Sequence, residues 1–124
     1  MTARLAGSSA GANDVDGGTT SVRSPSFTLP ATGTLSLSYS WYLGHGSNAS
    51  SADFLRISVV TAGGTTVLFT AAGAASDRDA AWTAGSVSLT PYAGQSVQIL
   101  IQAADASTAS LVEAGVDNVV IRQS

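Results

Sequence analysis

The stretch Thr34–Leu43, TLSLSYSWYL, decides the fold class of this 124-residue chain. In an extended strand its leucines, Tyr39 and Trp41 fall on one side, and its serines and Tyr42 fall on the other. Such strict alternation predicts a β-strand that is buried on one face only.

The same alternation recurs along the rest of the chain. In the segment 19–29, Pro25 marks a sheet edge, a bulge or a break between two short strands, because proline donates no hydrogen bond to a sheet. Further strands are predicted near 55–59, 65–70, 82–90, 96–103 and 116–122. We therefore predict an all-β protein, an antiparallel β-sandwich of the jelly-roll type with about 7–8 strands. It is expected to be one domain, 1–124, in which residues 1–12 form a partial first strand and loop.

The composition excludes several classes of function. The net charge is −3 and the chain has no lysine, which argues against nucleic acid and anionic membranes as partners. There is no cysteine, so a disulfide framework or a thiolate metal site is excluded. No apolar stretch approaches the length of a membrane span. We also expect the chain to be a monomer.

All eight carboxylates are predicted to gather at one end of the sandwich. If the chain reverses direction at each connection, the loops near 6–18, 44–53, 72–81 and 104–117 meet at this end, and the carboxylate-free loops meet at the other. Like charges at this density repel one another unless a cation lies between them. This predicts a bound calcium ion.

The strongest local motif is Asn13-Asp14-Val15-Asp16-Gly17-Gly18, where oxygen ligands alternate along the chain before a glycine turn. The alternative is an Asx-turn without an ion. Calcium is favoured over zinc, because the chain offers a single histidine and no cysteine. The predicted calcium ligands are Asn13, Asp14, Asp16, Asp53, Glu113 and Asp117.

The remaining polar residues of these loops have simpler interpretations. Asp77-Arg78-Asp79 could form a second cation site or a ligand-binding loop. We favour the alternative, an ion pair between Arg78 and a neighbouring aspartate that caps the loop. Asp105 is predicted to be a solvated loop residue. His45 lies in a glycine-rich loop, and no serine has the surroundings of a nucleophile, so we expect no enzyme activity.

Several aromatic side chains suit a carbohydrate ligand, because flat rings stack on sugar rings. Tyr42 and Phe54 fall on the outward side of their strands, and Trp82 begins a strand beside the acidic loops. Together with His45, these are the candidate ligand-binding residues. The alternative is an ordinary solvent-facing sheet.

Beyond these local signals, most of the chain from Asn13 onward resembles one family. The stretches that carry the resemblance are NDVDGGTTSVRSP (13–25), LSLSYSWYL (35–43), ADFLRISVV (52–60), PYAGQSVQILIQA (91–103) and VDNVVI (116–121). They are similar to the MAM-like jelly-roll module at the C-terminus of secreted bacterial metallopeptidases of the zinc carboxypeptidase type.

The resemblance implies a secreted, non-catalytic accessory module with calcium at one end of the sandwich. Its metal positions correspond to Asp14, Asp16, Asp53 and one or both of Glu113 and Asp117. The expected partners are the parent catalytic domain or an extracellular polymer or glycan. A carbohydrate-binding module and a structural protein-interaction domain remain the alternatives. The chain departs from the family in having only twelve residues before the Asp motif, and it lacks the peptidase zinc motif.

Overall fold

A computed structural model describes residues 17–124, which form eight β-strands and one short 3₁₀ turn, Thr90–Tyr92. The strands are β1 (Gly18–Arg23), β2 (Phe27–Thr28), β3 (Leu35–His45), β4 (Phe54–Thr61), β5 (Gly64–Ala72), β6 (Thr83–Ser88), β7 (Ser96–Asp105) and β8 (Val112–Gln123). The described residues contain no α-helix. Pro25 separates β1 from β2, so of the three alternatives at this proline the structure shows the break between two short strands.

The strands form two antiparallel sheets. One has the order β1-β7-β4-β5, with β2 also paired to β7, and the other has the order β6-β3-β8. The two sheets enclose the apolar core, so the predicted all-β sandwich is confirmed. The finer assignment as a jelly roll stays a prediction.

The alternating stretch quoted above becomes β3, the central strand of the smaller sheet. Leu35, Leu37, Tyr39 and Leu43 are almost fully buried, whereas the serines between them are half-buried. Each fully buried leucine contributes about 2–3 kcal/mol to folding by removing its side chain from water. A second apolar cluster continues the core toward the end of β3, and it consists of Leu43, Leu55, Ala71, Ala103, Val112 and Ala114.

The pairing of the strands brings the predicted acidic loops together. Gly18 pairs with Asp105, and Phe54 pairs with both Ala72 and Ala104. In the other sheet His45 pairs with Val112. The start of β1 and the loops 46–53, 73–82 and 106–111 therefore lie at one end of the sandwich. This acidic end carries Asp53, Asp77, Asp79, Asp105 and Glu113.

Three strands extend further toward the acidic end than predicted. β3 continues to His45, β7 continues to Asp105, and β8 begins at Val112 instead of 116. Asp117 consequently lies within β8 and not in a loop. Gly115 lies within the strand beside the ring of Tyr42, where a Cβ would come within 2.3 Å of the ring Cε1.

Candidate functional site

Asp53 ends the loop before β4, and its side chain is only 1% exposed. Its Oδ2 accepts a hydrogen bond from the backbone N–H of Ser50 at 2.7 Å, and its Oδ1 accepts one from the N–H of Ala106 at 2.8 Å. The carboxylate thus joins the loop 46–53 to the end of β7. Hydrogen bonds to a charged acceptor of this kind stabilise a fold by about 1.5–3 kcal/mol each.

Asp105, the last residue of β7, is also 1% exposed, so its prediction as a solvated loop residue was wrong. Its carboxylate accepts hydrogen bonds from the N–H of Gly17 at 3.1 Å and from both the N–H and the hydroxyl of Ser110 at 3.0 Å. The loop 106–111 folds back over this carboxylate, which explains its burial. The only feature of the sequence that could have indicated this burial is the serine five residues after the aspartate.

The two buried carboxylates lie side by side at the ends of neighbouring strands. The register that pairs Phe54 with Ala104 brings Asp53 opposite Asp105, and opposite residues have Cα atoms about 5 Å apart. Carboxylate charges as close to each other as these Cα atoms would repel by about 3 kcal/mol at the effective dielectric of a protein site. The amide donors offset this cost, and a cation beside the pair would remove it.

The described residues do not by themselves provide the ligands of a calcium site. Within residues 17–124, no three His, Asp or Glu side chains are close enough to hold a metal ion by themselves. Calcium takes six to eight oxygen ligands, so Asp53 and Asp105 would need additional donors. Asn13, Asp14 and Asp16 lie outside the described residues, and the chain reaches Gly17, which is bound to Asp105, directly after Asp16.

The other two predicted calcium ligands lie elsewhere on the smaller sheet. Glu113 is half-buried on β8 and lines a separate cavity with His45. Asp117 is exposed, pairs with Ser40 in the middle of the sheet and accepts the N–H of Asn118 at 2.7 Å. Five residues of strand separate it from Val112, a distance of about 16 Å.

The separate cavity has a volume of about 300 Å³ and lies between the end of β3, the segment 77–80 and the start of β8. The described residues that line it are Gly44, His45, Gly46, Asp77, Arg78, Asp79, Ala80, Leu111 and Glu113. The predicted ion pair between Arg78 and a neighbouring aspartate does not form within residues 17–124. The guanidinium lies over the ring of Trp41 at 5.5 Å, and its Nη1 donates to the carbonyl of Ala72 at 3.5 Å.

His45 is the last residue of β3 and is 6% exposed, whereas the sequence placed it in a flexible loop. Its backbone forms an isolated bridge with Arg78, which holds the strand extended to this point. The ring Nδ1 lies 3.1 Å from the carbonyl of Gly46. Because a carbonyl only accepts, Nδ1 is the donor in this contact. Within the described residues this buried Nε2 has no hydrogen-bond partner.

Two of the predicted ligand-binding aromatics, Tyr42 and Trp82, form a pair on the outer face of the smaller sheet. Their rings meet edge to face with centroids 4.8 Å apart, and Trp82 is 58% exposed. Gly115 leaves room for the Tyr42 ring to lie across β8. Burial raises the pKa of the Tyr42 hydroxyl above its ordinary value, and the negative charge of Glu113 raises it further.

Phe54, the third predicted aromatic, belongs to a different surface. It lies at the start of β4 in the larger sheet, and the guanidinium carbon of Arg56 is 3.9 Å from its ring centroid. A cation already covers this face of the ring. Phe54 is therefore less available for stacking on a ligand than Trp82.

An apolar groove, which was not predicted, lies between the edges of the two sheets. It has a volume of about 410 Å³, and Val22 and Val119 on its rim are about half exposed. Its lining residues are Val22, Arg23, Ser24, Phe27, Ile99, Ile101, Val119 and Ile121. Val119 and Ile121 are two residues apart in the sequence and therefore share one face of a strand. The gap beside β1, however, depends on how the two sheets pack.

Comparison with protein-family models finds no family that matches this sequence, and comparison with curated proteins finds no significant relative. Within residues 17–124, no helix is both long and apolar enough to cross a lipid bilayer. Function is therefore inferred from the geometry of the acidic end.

Proposed function

We propose that this chain is a non-catalytic accessory β-sandwich of a secreted bacterial hydrolase, most simply a metallopeptidase, and that calcium stabilises its acidic end. The observation that best supports the proposal is the burial of both Asp53 and Asp105, which lie at the ends of adjacent strands and form no ion pair within residues 17–124. The sequence motif that contains Asp14 and Asp16 leads directly into Gly17, whose N–H binds Asp105.

In this proposal calcium acts through linkage. An ion that binds only the folded arrangement of the loops stabilises that arrangement by mass action, by about 3 kcal/mol at a hundredfold excess over its Kd. The ion would offset the repulsion between the two buried carboxylates and would tie the start of β1 to the ends of β7 and β4. The ordered end, or the sheet face beside it, would then engage the parent catalytic domain or an extracellular polymer.

A thermal melt of the full chain, with calcium and with chelator, tests this proposal. Calcium is expected to raise Tm by roughly 10 °C, because each 1 kcal/mol corresponds to about 4 °C in a domain of this size. Asp16→Ala should remove most of that shift, while Asp77→Ala, which removes an exposed charge at the same end, should retain it. Identical melts in calcium and chelator would refute the proposal.

A carbohydrate-binding module is the second candidate, and the pair of exposed Trp82 and half-buried Tyr42 favours it. Aromatic faces that reach solvent beside carboxylates can stack on a sugar ring and accept hydrogen bonds from its hydroxyls. Binding on a glycan array that Trp82→Ala abolishes would support this function. Phe54→Ala is the matched control, because Arg56 covers that ring. The absence of binding across all glycans would count against it.

A further inference from the structure

The two sheets differ in width at one edge of the sandwich. The larger sheet has the strands β1-β7-β4-β5 side by side, whereas the smaller sheet has only β6-β3-β8. The apolar groove lies between the edge strands β1 and β8, and Ile99 and Ile101 of β7 belong to its lining. Among residues 17–124, no strand of the smaller sheet continues beyond β8 to cover β1.

Two valines on the facing edges point toward the core and are nevertheless exposed. Val22 pairs with Ile101, which packs against the apolar core, and cross-strand partners project from the same face of a sheet. Val119 is two residues from Ile121, which pairs with the fully buried Leu37, so Val119 shares the inward face. Val22 is 54% exposed and Val119 is 46% exposed. Within the described residues, the core is therefore open along this edge.

The direction of β1 determines how the preceding part of the chain could reach this edge. β1 runs away from the acidic end, because its first residue, Gly18, pairs with Asp105 there. A strand that leads into β1 through a loop at that end must therefore run toward the acidic end. β8 begins at the acidic end with Val112 and runs away from it. A preceding strand beside β8 would consequently be antiparallel to β8, as are all the strand pairs among the described residues.

The sequence before Gly17 contains a segment that suits this position. The predicted partial first strand, residues 1–12, lies outside the described residues. In its opening stretch, Met1-Thr2-Ala3-Arg4-Leu5, apolar residues alternate with polar ones, which predicts one apolar face in an extended conformation. The segment 6–16 can span up to about 36 Å. The path from the level of Val22 to Gly17 requires only about 20 Å, which is five residues along a strand combined with one gap between sheets.

We propose that residues 1–6 of this chain fill the apolar groove as a strand antiparallel to β8, with Leu5 packed against Val22 and Val119. The segment becomes the fourth strand of the smaller sheet, and its apolar face closes the core over β1. Its polar residues project to solvent from the other face. The free edge of β8, which would otherwise offer unpaired backbone groups to a second chain, is then covered.

A tethered segment has an advantage over a separate molecule in this groove. A short flexible connection holds it at an effective concentration in the millimolar range, so a modest intrinsic affinity is sufficient. Arg23 is the one charged residue among the described residues of the lining, which gives a charged partner little to bind. The proposal is also independent of calcium, because the described lining of the groove includes none of the predicted calcium ligands.

Disulfide trapping in the full chain tests this inference, because the chain has no cysteine of its own. Leu5→Cys is combined with Val119→Cys in one variant and with Val22→Cys in a second. The matched control combines Leu5→Cys with Val67→Cys, since Val67 is 50% exposed on β5, the opposite edge strand of the larger sheet. In chelator, at least one groove pair should form an intramolecular disulfide at least about tenfold faster than the control, because the bond requires Cα atoms within about 7 Å of each other.

Thermal melts of single variants in chelator give a second measurement that does not depend on oxidation. Leu5→Ala should lower Tm by at least about 5 °C, because it removes buried apolar atoms from the groove. Arg4→Ala, on the outward face of the same segment, should leave Tm within about 2 °C of the parent chain. Three results would overturn the proposal: groove pairs that form no faster than the control, disulfide-linked dimers as the main product, which would assign the groove to a second copy of the chain, or equal Tm in Leu5→Ala and Arg4→Ala.

Discussion

Replacement of Asp53 by alanine separates two opposing effects at the acidic end. The variant loses two charge-assisted hydrogen bonds, to Ser50 and Ala106, which together stabilise the fold by about 3–6 kcal/mol. It also removes the repulsion from Asp105, which is worth at most about 3 kcal/mol. With the repulsion at its full value, the net result in chelator should be a destabilisation of about 0–3 kcal/mol, or a decrease in Tm of up to roughly 12 °C.

In excess calcium the same variant should lose about 3 kcal/mol more, because it also loses a ligand of the proposed ion. Circular dichroism melts of the parent chain and of Asp53→Ala, each in chelator and in calcium, measure the loss in chelator and the additional loss in calcium separately. Asp77→Ala is the control for an exposed charge. Two results would refute the reasoning. An Asp53→Ala protein more stable than the parent in chelator would mean that repulsion exceeds hydrogen bonding, and an equal loss in both buffers would mean that Asp53 holds no calcium.

Three further perturbations probe other parts of the site. Ser110→Ala should cost about 1–2 kcal/mol in urea unfolding, because its hydroxyl donates to buried Asp105 at 3.0 Å, and an unchanged midpoint would contradict the loop closure. Tyr42 has a folded pKa above its ordinary 10.0, so the stability that it contributes should be complete below about pH 10 and decrease as pH rises through the folded pKa. Absorbance titration should show that Glu113→Gln lowers the pKa of Tyr42. An unchanged pKa would mean that the charge of Glu113 does not act on the Tyr42 hydroxyl. Gly115→Ala should destabilise by about 1–3 kcal/mol and alter the near-ultraviolet spectrum, because its Cβ would meet Tyr42 at 2.3 Å; an unaltered spectrum would mean that the ring lies elsewhere.

The sequence predicted the sandwich because its signal is local. Alternation along Thr34–Leu43 specifies one buried and one open face, and antiparallel reversal then determines which loops share an end. The break between β1 and β2 also has a local cause, because Pro25 donates no hydrogen bond to a sheet.

The site was less predictable because it depends on contacts between distant residues. Asp105 differs from an exposed aspartate only through its bonds to Gly17 and Ser110, and alternation carries no information about them. His45 was assigned to a loop because glycines flank it, yet a bridge to Arg78 extends the strand through it. The Arg78 guanidinium found an aromatic face and a carbonyl instead of a carboxylate, which local charge spacing cannot indicate.

Calorimetric titration of calcium into chelator-stripped full chain tests the central proposal most directly. We predict a saturable heat of binding that both Asp16→Ala and Asp53→Asn abolish, and that Asp77→Asn leaves unchanged. The absence of any heat in the parent chain, or an isotherm that survives in both of the first two variants, would contradict a calcium ion at the acidic end.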